Sequence, residues 1–162
     1  GYIDNRLNVG AQWSKVPFPL LIMPPVNVSY FEHENTFSMM RNMEFLNDRY
    51  AYWSISWDLN GKVLNRIPLI RHLKWREYIS FKGMFGKLTD KNNSMVNSAD
   101  PLLFRFPAES HVMDSHTPYM EVVAGVHNIF KFFGVDYVRR INYNNNPDVK
   151  KNGIRFSFSM SF

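Results

Sequence analysis

The chain ends on a run in which every second residue is apolar. Ile154, Phe156, Phe158, Met160 and Phe162 alternate with Arg155, Ser157, Ser159 and Ser161. Successive side chains of a strand point to opposite faces. Such a run therefore forms a ribbon with one greasy face and one small, polar face. The same period recurs upstream. Over residues 6–15, Leu7, Val9, Ala11 and Trp13 oppose Asn8, Gly10, Gln12 and Ser14. Over 50–59, Ala51, Trp53, Ile55, Trp57 and Leu59 oppose Tyr52, Ser54, Ser56 and Asp58. Segments 75–88, 119–128 and 132–143 repeat the pattern, and the Met-rich segment 36–45 is ambiguous in its facing. Seven strands are thus predicted, an all-β antiparallel meander.

These segments approach the roughly 9–11 residues with which a tilted strand crosses a bilayer. An outward apolar face with a polar, small-residue inner face is the pattern of a transmembrane β-barrel. The connections fit. With the terminal strand ending in the periplasm, loop 144–152 and the long connection 89–118 fall outside the cell, and the short turn near Phe130 falls inside. Two connections fit poorly: 46–49 is short for an outer loop and 16–35 long for a periplasmic one. Arg139 shares a face with Tyr137 and Ile141, and at the bilayer midplane Arg costs about 2–4 kcal/mol. Its closeness to the outer loop places it at head-group level. Seven strands do not close a barrel, and an open edge in lipid leaves backbone groups unpaired. The expected assignment is one domain, residues 1–162, forming the C-terminal part of a barrel whose remaining strands lie upstream in a longer parent chain.

Composition sharpens this picture. Aromatic residues make up 16% of the chain, with 14 Phe, 8 Tyr and 4 Trp, which favours strands and membrane interfaces. There is no cysteine, which removes disulfides, thiolate catalysis and Cys-based zinc sites. The longest apolar run, 18–26, is broken by prolines and cannot be a helix interior. The net charge is +5, and Lys87, Lys91, Lys150 and Lys151 collect in or beside the predicted outer loops, where lipopolysaccharide phosphates would lie. Nucleic acid is not expected, because the aromatics lie opposite the basic residues rather than among them.

Candidate chemistry is sparse. Asp136, Arg140, Arg155, Glu121 and His127 share the polar faces of the last three strands, a plausible lumenal polar network. His127 beside Glu121 is a candidate pH-sensitive pair. His111, Asp114 and His116 match no zinc spacing, so no metal or cofactor is expected. No nucleophile elbow, phosphate loop or dinucleotide fingerprint is present, and no enzymatic role is expected. The strand carrying Gly153, Ile154, Phe156, Phe158, Met160 and Phe162 is a candidate assembly signal, since an apolar edge strand is a template for strand addition. A soluble antiparallel barrel or sandwich binding a lipophilic ligand is the alternative.

Several ordered stretches carry a family resemblance: Lys15 to Leu21, Asn47 to Ala51, Leu64 to Leu69, Lys74 to Glu77, His127 to Lys131, and Gly153 to Phe156 followed by terminal Phe162. Together they resemble the C-terminal barrel of a Bacteroidota family of uncharacterised outer-membrane proteins with an N-terminal carboxypeptidase-regulatory-like domain. The ending is more distantly similar to BamA-type barrels. The resemblance implies an outer-membrane location, contact with outer-membrane lipid and lipopolysaccharide, and dependence on barrel-assembly machinery. It also implies a parent protein engaged in membrane passage or assembly of cargo. A sixteen-strand layout would make this chain about the last seven strands.

Overall fold

The computed structural model describes residues 1–33 and 35–158. Alternation produces strands wherever it is regular. They are β1 (Tyr2–Ala11), β2 (Arg49–Asp58), β3 (Arg76–Lys87), β4 (Tyr119–Ile129), β5 (Phe133–Arg140) and β6 (Asn152–Phe158). They form one antiparallel sheet in chain order, β1-β2-β3-β4-β5-β6. The all-β meander is therefore as expected, but with six strands, and the sheet does not close into a barrel.

Residues 36–45 account for the difference. They form no strand and make only single bridging pairs, Phe37 with Val26 and Phe45 with His111. The period fails here: Phe37, Ser38, Met39 and Met40 are all buried in succession, whereas a half-buried strand would hide every second residue. Met43 adopts a positive φ of 58°, which also breaks extension. The first strand is displaced too, beginning at Tyr2 rather than Arg6. Beyond its end, Trp13 stacks beneath the guanidinium of Arg49, 4.6 Å from the ring centroid.

These corrections remove both misfits among the connections. Residues 12–48 become one long crossing at the same end of the sheet as loops 88–118 and 141–151. Connections 59–75 and 130–132 lie at the other end, called the short-loop end for the tight turn 130–132, although 59–75 is longer than 141–151. β1 therefore runs towards the long-loop end, opposite to the direction seven strands require. At the short-loop end, Phe130 and Lys131 both take positive φ, 52° and 73°, and the Phe132 N–H donates to Ile129 O at 3.3 Å. Those two positive φ values are the ones a type I′ turn requires, here set within a three-residue connection.

Register sorts the faces. Leu7 lies opposite Trp53, Ile55 opposite Phe81, Phe81 opposite Val122, Ala124 opposite Tyr137, and Tyr137 opposite Ile154. Directly paired residues share a face, so one face is apolar across all six strands, apart from Asn5 opposite Ile55 on β1. Gly83 lies opposite Trp53 within it, and a Cβ there would sit 2.1 Å from the indole ring. Arg49, Lys87 and Arg139 lie on this same face only at its long-loop end, where Arg139 was expected.

The core is on the other side. Segment 16–47 descends across the polar face and returns, burying Phe37, Met40 and Phe45 against Tyr52, Met84 and Tyr119. Met39 packs on Val123 and Val138. Phe37 meets Tyr52 and Tyr119 edge-to-face at 5.5 and 5.1 Å between centroids, favoured ring geometries. Nothing among the described residues covers the apolar face. The accessible surface is 9930 Å², whereas a folded monomer of this mass exposes about 8,400 Å².

Candidate functional site

The site is the polar face of the sheet together with the segment docked on it. Strand alternation aims Lys82 from β3, Glu121 from β4, Asp136 and Arg140 from β5, and Arg155 from β6 to the same side, and all five are buried. Burying charge is costly unless each group is paired and hydrogen-bonded. Segment 16–47 supplies most of the partners.

Arg140 and Glu44 form the deepest pair. Arg140 donates through Nη2 to Glu44 Oε1 at 2.5 Å and through Nη1 to Oε2 at 2.9 Å, a bidentate fork. Its remaining donors reach the carbonyls of Asn142 at 3.0 Å and Tyr143 at 2.7 Å. The guanidinium also lies 4.8 Å from the centroid of the Tyr119 ring. Glu44 further accepts the Arg41 N–H at 3.0 Å and the Asn146 amide at 2.9 Å. Burial pushes the Glu44 carboxyl up, but the bonds from Arg140, Arg41 and Asn146 outweigh it and hold the group below the usual carboxylate range.

Glu121 treats the docked backbone as a turn to be capped. Its oxygens accept the N–H groups of Ser38 at 2.9 Å and Met39 at 2.8 Å, and the Tyr119 hydroxyl donates to it at 2.7 Å. Arg155 Nη2 donates to Ser38 O at 2.6 Å. Lys82 pairs with Glu32 and donates to Thr36 O at 3.2 Å. Backbone groups that a strand would satisfy through a ladder are thus satisfied by charged side chains of the sheet.

The expected network accordingly divides. Glu121, Arg140 and Arg155 all grip the docked segment. His127 does not pair with Glu121; its Nε2 lies 2.8 Å from Asp136 Oδ1 and its ring stacks on Tyr78 at 4.6 Å. Gly125 makes room for that pair, since a Cβ on it would fall 1.9 Å from Asp136 Oδ1. Sequence reasoning missed Glu32, Glu44 and Ser38, because their segment was read as loop and strand rather than as a partner of the inner face. Lys82 was legible as an inward-facing cation, but its partner was not.

No family model, curated protein or solved structure matches this chain.

Its geometry carries the reading instead. Glu32, Glu44 and Glu121 form a clasp on the docked segment: Glu44 accepts from Arg140, Arg41 and Asn146, Glu121 from Ser38, Met39 and Tyr119, and Glu32 from Lys82 and the Ser38 hydroxyl. Among the described residues, no group of three or more His, Asp or Glu could hold a metal ion. Asp114 turns its carboxylate onto the His116 N–H at 2.9 Å and the Thr117 hydroxyl at 3.2 Å. The His116 N–H bond, with that of Thr117, holds its pKa below the usual value against slight desolvation. A cavity of about 450 Å³ opens where the docked segment stops short of β1, lined by Arg6, Asn8, Ile22, Pro24, Tyr50 and Tyr52. Of the terminal strand, Gly153, Ile154, Phe156 and Phe158 belong to β6, with Ile154 and Phe158 exposed on the apolar face. Met160 and Phe162 lie outside the described residues.

Proposed function

We propose that the chain is the C-terminal wall of an outer-membrane β-barrel, with residues 12–48 folded inward to fill the lumen. The observation that carries this reading is the inverted polarity of the sheet. Charged and hydrogen-bonding groups are buried on the covered face. Ile3, Leu7, Val9, Ile55, Trp57, Ile79, Phe85, Ile154 and Phe158 are exposed on the other. A soluble sheet places its apolar face inward, and a contiguous exposed apolar face of this extent marks an interaction surface. Hydrocarbon is the occupant that matches a face on which, between its two ends and among the described residues, Asn5 opposite Ile55 is the one amide and no side chain is charged.

Both ends of the face support the same reading. At the short-loop end, Phe158 stacks on Phe132 at 6.3 Å and tilts against Phe133 at 5.3 Å, Phe133 stacks on Phe156 at 5.5 Å, and Phe130 is exposed. Aromatic girdles of this kind sit at membrane interfaces. At the long-loop end lie Arg49, Lys87, Lys91, Arg139, Lys150 and Lys151, suited to lipopolysaccharide phosphates. Six strands is an even number, so an even number upstream in the parent chain completes a barrel. In that setting β6 closes the wall and serves as the strand read by the barrel-assembly machinery. The parent protein works in membrane passage or assembly of cargo, with the docked segment controlling the lumen.

Fractionation tests the proposal. The chain within its parent should require detergent for extraction and should migrate faster on gels unheated than boiled. Recovery as a folded monomer from aqueous buffer would overturn it and favour a soluble sheet that binds a lipophilic ligand.

A further inference from the structure

The free edge of β6 is not free. Phe156, whose N–H and C=O point away from β5, donates to Tyr30 O at 2.8 Å and accepts the Glu32 N–H at 2.7 Å. Phe31 thereby forms a parallel bridge with Phe156, and its ring lies 5.5 Å from that of Phe158. Asn27 and Ser29 fix this short stretch, donating to Phe31 O at 2.6 and 2.9 Å.

A strand that continues this meander past β6 must be antiparallel, as every neighbour in the sheet is. Tyr30–Phe31–Glu32 runs parallel and already uses both groups of Phe156. The two cannot occupy the edge together. We infer that residues 30–32 are a displaceable guard over the β6 edge, and that the partner this edge receives is an antiparallel strand of alternating apolar and small polar residues. Glu32 is also the residue that pairs with Lys82 on the inner face and accepts the Ser38 hydroxyl at 3.0 Å. Leaving the edge therefore loosens the docked segment, and loosening the segment frees the edge. Edge strands are commonly masked against unwanted pairing, and here the mask is tied to the contents of the lumen. The inference rests on the barrel reading for the identity of the partner, while the exclusion itself depends only on backbone geometry.

The chain has no cysteine, so a Phe31→Cys/Phe156→Cys variant can be locked by oxidation and released by reduction. The probe is a fluorescent peptide with the sequence of residues 6–15, because β1 runs opposite to β6 and Leu7, Val9, Ala11 and Trp13 there alternate with Asn8, Gly10, Gln12 and Ser14. In detergent, the reduced variant should bind the peptide at least tenfold more tightly than the oxidised one. Adding Lys82→Met to the reduced variant should tighten binding further. Equal binding by both redox states, binding by neither, or failure of the disulfide to form overturns the guard. No gain from Lys82→Met overturns its link to the lumen. None of these outcomes depends on lipid, so they separate from failure of the membrane reading, which fractionation reports.

Discussion

Glu44→Gln removes one charge from the Arg140 pair while keeping its shape. The carboxylate accepts four donors, two from Arg140 and one each from Arg41 and Asn146, and neither side chain of the pair is exposed beyond 1%. Breaking a buried pair by deleting one partner costs about 3–5 kcal/mol, because the other charge stays buried. Arg140 keeps the Asn142 and Tyr143 carbonyls, which sets the cost near the lower bound, about 3 kcal/mol. Since 1.4 kcal/mol is tenfold, docking of the segment should weaken by roughly a hundredfold. Native-state hydrogen exchange reads this locally: amides of residues 37–46 should lose protection, while those of β2, β3 and β4 keep theirs. Arg140→Met should cost a similar amount by stranding Glu44. The double variant should cost less than the two singles added, because an apolar replacement leaves no buried charge unpaired. A loss below about 0.5 kcal/mol for Glu44→Gln, within the range of an ordinary surface substitution, would refute the clasp. An equal loss across the whole sheet would do the same.

Glu44 also fixes a pH dependence. Its folded pKa is depressed, so its contribution is complete above the unfolded carboxylate value of about 4.3 and is lost as pH falls through the lower folded value. The difference in protection of residues 37–46 between the wild type and Glu44→Gln should therefore be constant from neutral pH to about 5 and shrink in acid; a difference that shrinks towards neutral pH would contradict this sign. Gly125→Ala should displace Asp136 and separate it from His127, lowering thermal stability by about 1–3 kcal/mol as for other overpacked sites. An unchanged melting temperature would show that the close approach is not needed.

What the sequence revealed depended on how strictly local alternation ruled. Strands β2 to β6 and their facing were legible because each alternates over its length, and Trp53, Ile55 and Phe81 could only share a face. The inward aim of Glu121, Asp136, Arg140 and Arg155 followed from the same period. Partners were another matter. Lys82 meets Glu32, and Arg140 meets Glu44 across 96 residues of chain, through a segment with no period of its own. Its backbone is held by side chains of a distant sheet, and no local rule of propensity or spacing encodes that. The mistaken strand at 36–45 has the same cause: Phe37, Met39 and Met40 are apolar because they fill the space above the polar face. The guard over β6 was invisible for a related reason, since a single parallel bridge leaves no trace in periodicity.

The most direct measurement is the environment of Ile55, midway along β2 on the apolar face. With Ile55→Cys carrying a nitroxide, in protein reconstituted into lipid vesicles, a lipid-facing residue should show high relaxation by oxygen, little by a water-soluble nickel chelate, and a mobile label. Ready access for the chelate, or a label immobilised against other side chains, would mean that water or protein rather than lipid covers this face.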